Sequence, residues 1–287
     1  MELIDARVRL PEELRVRVRG SSPELLHEQY DRVLDLTAKT AAGTLDALLN
    51  GLDDAGIARA VLHAEYEDDA DATQLNDAVA ALVAKFPERF RGVGTIDLPL
   101  SSPTAAARQV DQIAALGLVG VNVQPAFFDL DIDDRRLYPV YSRAEELGLV
   151  VALHTGINYS RMSPIRHERA ELLDQVACDF PGLRLVACHA GWPWVTEFCA
   201  VARRHPTVYL EFGGLAPRYV GQPGTGWDVL FTYLPKLLTG QVLFGTDWPV
   251  MPFGRVLEEW RALDLGDDVL ERLLGGNARA LFWGESR

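Results

Sequence analysis

Three residues able to do chemistry stand where an apolar run stops. His154 ends LVVALH, His189 ends RLVACH, and Asp247 follows QVLFGT. Two imidazoles and a carboxylate can hold a divalent metal, or can pass protons to and from a substrate. Each histidine is followed at once by a small residue and a glycine (HTG, HAG), a spacing that leaves room for a ligand. Near the start of the chain, LIDARVRL alternates Ile4, Ala6, Val8 and Leu10 with Asp5, Arg7 and Arg9. That period of two predicts a strand with one apolar and one charged face. Arginine stays protonated at any working pH and offers no lone pair, so Arg7 and Arg9 suit anions and not metals.

The elements that must position these residues follow a regular pattern. LDALLNGLDDAG reads as a helix closed by Gly56, and SPTAAARQVDQIAALG as a helix with Ser102 as N-cap and Gly117 as C-cap. ARAVLHA, RFRGVGTIDL, VGVNVQP, LVVALHTG, LRLVACHAG, VYLEFGG and QVLFGTDWP join the first segment as strands, and DDVLERLLGGNARALFW closes the chain as two short helices. Several strands are unbroken apolar runs, as expected when both faces are covered. Eight strands, nearly all followed by helices, predict a parallel sheet closed into a (β/α)8 TIM barrel. A doubly wound open sheet fits less well, since no Gly-rich phosphate loop follows the first strand. The reading is a single domain over residues 1–287, with an inserted segment at about 11–40 covering one end.

In such a barrel the C-terminal strand ends build the site. His63 and Glu65 end the second strand, Asp97 the third, Asn122 and Gln124 the fourth, and Glu211 the seventh. Some have a purely structural reading: His63 hydrogen-bonded at the rim, Asp97 turning the chain before Pro99, and Glu211 paired with an arginine in the lumen. His27, His167 and His205 fall in helical or loop stretches and read as surface residues. The loops at the mouth add Asn158, Tyr159 and Arg161, then Trp192 and Trp194, Arg218 and Tyr219, and finally Trp248 and Arg255. Aromatic walls with several arginines suit a planar, anionic substrate.

The 287 residues carry a net charge of −13, which argues against a nucleic-acid partner. Three cysteines fit neither a disulfide framework nor a zinc knuckle, so a cytoplasmic setting is expected. No secretory signal is visible, and no stretch approaches the roughly 20 apolar residues that span a bilayer, so no membrane partner is expected.

LDALLNGLDDAGIARAVL, FPERFRGVGTIDL, LYPVYSRAEELGLVVALHTG, FPGLRLVACHAGWPW, VYLEFGG, VLFGTDWP and GNARALF resemble successive blocks of the amidohydrolase superfamily, in family order. The branch they resemble is the amidohydrolase-related one, which includes aminocarboxymuconate-semialdehyde decarboxylase and other metal-dependent decarboxylases and hydrolases. The resemblance implies that His154 and Asp247 match a divalent-metal pair, usually for zinc. It implies that His189 ligates a second metal or acts on the substrate as acid or base. The family's first strand normally ends in a His-x-His or Glu-x-His pair, and Arg7 and Arg9 occupy those positions here. Two guanidiniums repel a cation in a dry pocket. The expectation is therefore no cofactor, or a single zinc ion on His154, His189 and Asp247.

Two roles for the arginines remain open. They could stand in for the metal's charge, neutralising Asp247 and holding a substrate carboxylate or oxyanion. They could instead pair with Asp247 and Glu211 as inert filling. The leading expectation is a hydrolase of a small carboxylated, cyclic substrate (a lactone, ester or amide). Asp247 would serve as general base, His154 and His189 as catalytic partners, and Arg7, Arg9, Asn158, Tyr159, Arg161, Trp192, Arg218 and Trp248 as substrate contacts. The alternatives are a non-oxidative decarboxylase of an aromatic carboxylate and a catalytically inactive metabolite-binding relative. The resemblance also allows a homo-oligomer.

Overall fold

The computed structural model describes residues 1–15, 23–65, 71–98, 102–160 and 163–285, with the backbone alone for residues 23–27. Eight parallel strands form one sheet in sequence order. They are β1 (Leu3–Arg9), β2 (Ile57–His63), β3 (Phe90–Thr95), β4 (Gly120–Val123), β5 (Val150–His154), β6 (Arg184–Cys188), β7 (Val208–Glu211) and β8 (Val242–Leu243). The chain beyond β8 closes the ring. Ala6 N donates to Phe244 O at 2.8 Å, Asp247 N to Arg7 O at 2.9 Å, and Arg9 N to Trp248 O at 2.9 Å. The architecture is the expected (β/α)8 barrel.

Local chemistry sets the helix ends. The Thr44 side chain accepts from Ala47 N at the start of Leu45–Ala55, and Gly56 closes that helix. Asp71 accepts from Thr73 N and Gln74 N, and Ser102 from Ala105 N, where orphan N–H groups need acceptors. Leu116, not Gly117, takes the cap position of Pro103–Ala115.

Apolar residues divide into two shells. Val61, Val93, Val150, Ala152, Val186 and Leu243 fill the lumen, where Leu281 and Phe282 of the C-terminal segment join them. Alternate strand residues such as Leu62, Val151, Leu153 and Leu210 pack outward with the helices. Both strand faces are therefore apolar, as parallel strands covered on both sides require.

β1 departs from strict alternation. Its register to β2 shifts between Asp5 and Val8. Ile4 and Ala6 join the lumen cluster, whereas Val8 and Leu10 join the outer one. Asp5 does not join Arg7 and Arg9 at the mouth. Its carboxylate accepts from Arg7 N and Thr246 N and from the Thr246 hydroxyl, tying β1 to the closing segment. Burial, opposed by the hydrogen bonds from Thr246 and Arg7, pushes the Asp5 carboxyl up to about 7. A bulge of this kind re-aims side chains beside a site.

Candidate active site

The mouth holds a four-residue ionic cage. Arg9 from the end of β1 donates Nε to Asp247 Oδ1 at 3.0 Å and Nη2 to Asp247 Oδ2 at 2.9 Å. Its Nη1 lies 2.8 Å from Glu65 Oε2. Arg7 donates Nε to Asp247 Oδ1 at 3.2 Å and Nη2 to Glu65 Oε1 at 2.6 Å. Two cations thus meet two carboxylates, and all four residues are buried. Burial alone would raise the Asp247 carboxyl, but the Arg9 and Arg7 guanidiniums outweigh it and hold the group well below the usual carboxylate range. Asp247 adopts a left-handed backbone (φ 55°), tolerable for aspartate, which aims its carboxylate back at β1.

Below the cage the lumen stays polar. Arg7 Nη1 reaches Cys188 Sγ at 3.3 Å and His63 Nδ1 at 3.4 Å. His63 Nε2 donates to Ala6 O at 3.0 Å, so Nδ1 is its acceptor. Burial and the Arg7 charge pull the His63 ring down to about 3, keeping it neutral. Glu211 does not pair with Arg7, contrary to one reading of the sequence; its Oε1 accepts from Gly213 N, and its Oε2 is buried without a hydrogen-bond partner. Burial, opposed by the Arg7 charge, pushes Glu211 up to about 8.

Beside the cage lie the two histidines, ring centroids 4.9 Å apart. The His154 Nδ1–H donates to Glu168 Oε1, and Asn158 Nδ2 donates to the other carboxylate oxygen of Glu168 at 2.6 Å. Glu168 is fully buried. The chain Asn158–Glu168–His154 therefore fixes the tautomer and leaves Nε2 as the reactive nitrogen. The His189 Nδ1–H donates to Gly213 O at 2.7 Å, so its Nε2 is a bare acceptor. Burial and the neighbouring His154 pull the His189 ring down to about 3. His189, Ala190 and Gly191 all have positive φ (60°, 48° and 70°), a costly conformation for the first two that bends the chain sharply at the end of β6.

The glycines after these histidines meet close contacts within the chain itself. A Cβ on Gly156 would come within 2.2 Å of Trp192 O, and one on Gly191 within 2.0 Å of the Phe198 ring. Ile157 N donates to Trp192 O at 2.8 Å, locking the β5 and β6 loops together.

A cleft opens over this floor. Arg9, His154, Tyr159, His189, Trp192 and Asp247 line it, and Tyr30 and Leu34 from the helix Pro23–Leu34 close its rim. Four expected substrate contacts lie elsewhere. Arg7 is fully buried within the cage and does not line the cleft. Asn158 is occupied with Glu168 and Ser160 N. The Trp248 ring stacks on Phe253, 6.0 Å between centroids. Arg218 is exposed, its Nε 3.5 Å from Glu259 and its guanidinium over the Tyr219 ring. Arg161 lies outside the described residues, as does the side chain of His27. His167, expected at the surface, is buried between Asp131 and Asp129. Glu168 was not anticipated, because RHERAELL reads as a charged helical surface.

The family profile described as "Amidohydrolase" matches residues 4–283. The chain belongs to the amidohydrolase family. Within that family it is 32% identical over 93 residues to 2-amino-3-carboxymuconate-6-semialdehyde decarboxylase of Dictyostelium discoideum, an alignment covering 32% of this chain and 25% of that protein. It is 25% identical over a 255-residue alignment to gamma-resorcylate decarboxylase of Rhodococcus jostii, covering 74% of this chain and 76% of that one. A solved TIM-barrel protein from Bordetella bronchiseptica superposes with a TM-score of 0.81 at 28% identity, over 98% of both chains.

The donor set at this amidohydrolase mouth does not fit a divalent metal. Arg7 and Arg9 have no lone pair to donate, and both Asp247 oxygens already accept guanidinium N–H bonds. Among the described residues, the three-ligand group of His, Cys, Asp or Glu whose donor atoms approach within 4.8 Å is Asp174, Cys178 and His205, outside the mouth. No described helix is long and apolar enough to cross a membrane.

Proposed function

We propose that the chain is a lyase removing CO2 from a small aromatic carboxylate that bears a neighbouring hydroxyl, with His154 as the proton carrier. The observation that carries this reading is the Asn158–Glu168–His154 relay, which presents Nε2 to the aromatic-walled cleft. Both curated relatives are named as decarboxylases.

The chemistry follows from the charges. With Nδ1–H donated to Glu168, a second proton on Nε2 makes the ring cationic, and the Glu168 carboxylate offsets that charge. The proton passes from Nε2 to the ring carbon that carries the carboxylate. The carbon–carboxylate bond then breaks, its electron pair restores the aromatic ring, and CO2 leaves. His154 regains a proton from solvent. The bare Nε2 of His189 suits a substrate hydroxyl as hydrogen-bond donor.

Hydrolysis, the leading expectation from sequence, loses its base. A general base needs a proton affinity near the working pH, and the guanidiniums of Arg9 and Arg7 hold Asp247 well below the usual carboxylate range, which makes it a weak base. The cage is also formally neutral, which leaves no surplus cation for an oxyanion. A neutral, aromatic-lined cleft instead favours dispersal of a carboxylate's charge onto the ring.

The test is a panel of hydroxybenzoates and lactones assayed side by side. CO2 release, with one deuterium at the vacated carbon in heavy water, is the expected result. Lactone opening with every carboxylate left intact would refute the reading.

A further inference from the structure

A second constellation lies at the opposite end of the barrel. Asp174 and Cys178 stand four residues apart on one face of the helix Ala170–Asp179, and His205 follows the helix Val195–Arg204. Both positions precede strands, β6 and β7, so they lie toward the N-terminal face of the barrel, where residues serve stability and not chemistry. One donor atom from each, an imidazole nitrogen, a thiol sulfur and a carboxylate oxygen, lies within 4.8 Å of the other two. We propose that Asp174, Cys178 and His205 form a zinc-binding site that clasps this helix to the turn entering β7.

Mixed nitrogen, sulfur and oxygen donors select zinc over the hard cations magnesium and calcium. A tetrahedral ion with bonds of about 2.0–2.3 Å needs donors about 3.5 Å apart, a spacing that small side-chain rotations supply here. The set is already oriented. His205 Nε2 lies 2.7 Å from Asp174 Oδ1, while Arg204 Nη1 holds Oδ2 at 2.7 Å. Arg204 thus aims the carboxylate and leaves Oδ1 facing the cluster, the role that outer partners play at metal sites. The turn carrying His205 is pinned by Gln241, whose Nε2 shares its two N–H groups among Ala202 O, His205 O and Val208 O at 2.7, 2.9 and 2.7 Å. Cys178 is exposed, so its sulfur is accessible to an ion from solvent. On binding, the thiol gives its proton to solvent, His205 carries its proton on Nδ1, and water takes the fourth position.

Cobalt(II) reports such a site optically, so the full chain is titrated with it under reducing conditions. One equivalent is expected to give a near-ultraviolet thiolate band and visible bands of tetrahedral intensity, both abolished by excess zinc. Cys178→Ser, an exposed and mild change, should remove the thiolate band, and His205→Gln should remove the visible bands. Zinc should raise the melting temperature of the unmodified chain and not of Cys178→Ser. His154→Gln should keep the full spectrum, which separates this site from the mouth. A thiolate band that survives Cys178→Ser, or its absence from the unmodified chain, overturns the assignment.

Discussion

Arg9 grips Asp247 with two parallel hydrogen bonds, Nε to Oδ1 at 3.0 Å and Nη2 to Oδ2 at 2.9 Å. Buried ion pairs of this kind add little net stability, but breaking one strands a charge. Arg9→Met should therefore destabilise the fold by about 3–5 kcal/mol. Arg9→Lys should recover little of it, since an ammonium lacks the fork. Arg9→Met combined with Asp247→Asn removes one charge of each sign and leaves Arg7 with Glu65. Its cost should fall short of the summed single costs by about 1 kcal/mol or more. Urea denaturation of the unmodified chain, Arg9→Met, Asp247→Asn and the double variant measures this, and strict additivity would mean that the pair is not coupled.

Glu168→Gln keeps the shape of the side chain and deletes the charge beside His154 Nδ1. Under the proposed proton transfer, kcat should fall about 10- to 100-fold with KM nearly unchanged, because the charge matters most when Nε2 carries its proton. Asn158→Ala, which only loosens Glu168, should cost less. A change in KM alone would place Glu168 outside the proton relay.

Much of the fold is readable from sequence, because buried parallel strands are bare apolar runs and caps such as Thr44, Asp71 and Ser102 are local signals. His154, His189 and Asp247 are conspicuous for the same reason: each is polar where an apolar run stops. Glu168 is hidden. It sits among Arg166, His167, Arg169 and Glu171, a setting that resembles a solvated face, and only the return of the β5 loop buries it against His154. The destiny of Arg7 and Arg9 is equally long-range, since Glu65 and Asp247 close the cage from loops beyond strand ends, 56 and more residues away in sequence. Trp248 and Arg218 look like ligand contacts by residue type. Stacking on Phe253 and pairing with Glu259 are tertiary facts.

Chelation should leave turnover intact. The carboxylates of Asp247 and Glu65 are committed to guanidinium groups, which leaves the His154 and His189 Nε2 atoms without a carboxylate to complete a metal site, so dialysis against a strong chelator removes nothing that the proposed proton transfer needs. Activity lost on dialysis and restored by manganese or zinc would show that the cage opens to take an ion.

The pH dependence of stability should carry the mark of Glu211. Burial raises its folded pKa to about 8 from 4.5. The folded state therefore holds a proton that the unfolded state has lost, and stability declines as pH rises through this window. Asp5, at about 7, acts with the same sign. His63 and His189, at about 3, act with the opposite sign, but only below the ordinary histidine range. Between pH 7 and 8 the carboxyl groups dominate, and the loss should be about 1 kcal/mol. Glu211→Gln should flatten the profile there, and an unchanged slope would assign it to another group.

Gly156→Ala separates two views of the HTG and HAG turns. If the glycines made space for a ligand, an added methyl would weaken substrate binding and spare the fold. The structure places the new Cβ 2.2 Å from Trp192 O at a residue with φ of +85°, so the β5 and β6 loops must part. The hydrogen bond from Ile157 N to Trp192 O lies at that junction and would lengthen. Overpacking and left-handed strain together should cost about 2–4 kcal/mol. The same displacement moves His154 relative to His189, so kcat should fall as well. Thermal unfolding and steady-state kinetics on this one variant decide the matter: a stable protein altered only in KM would return these glycines to the ligand.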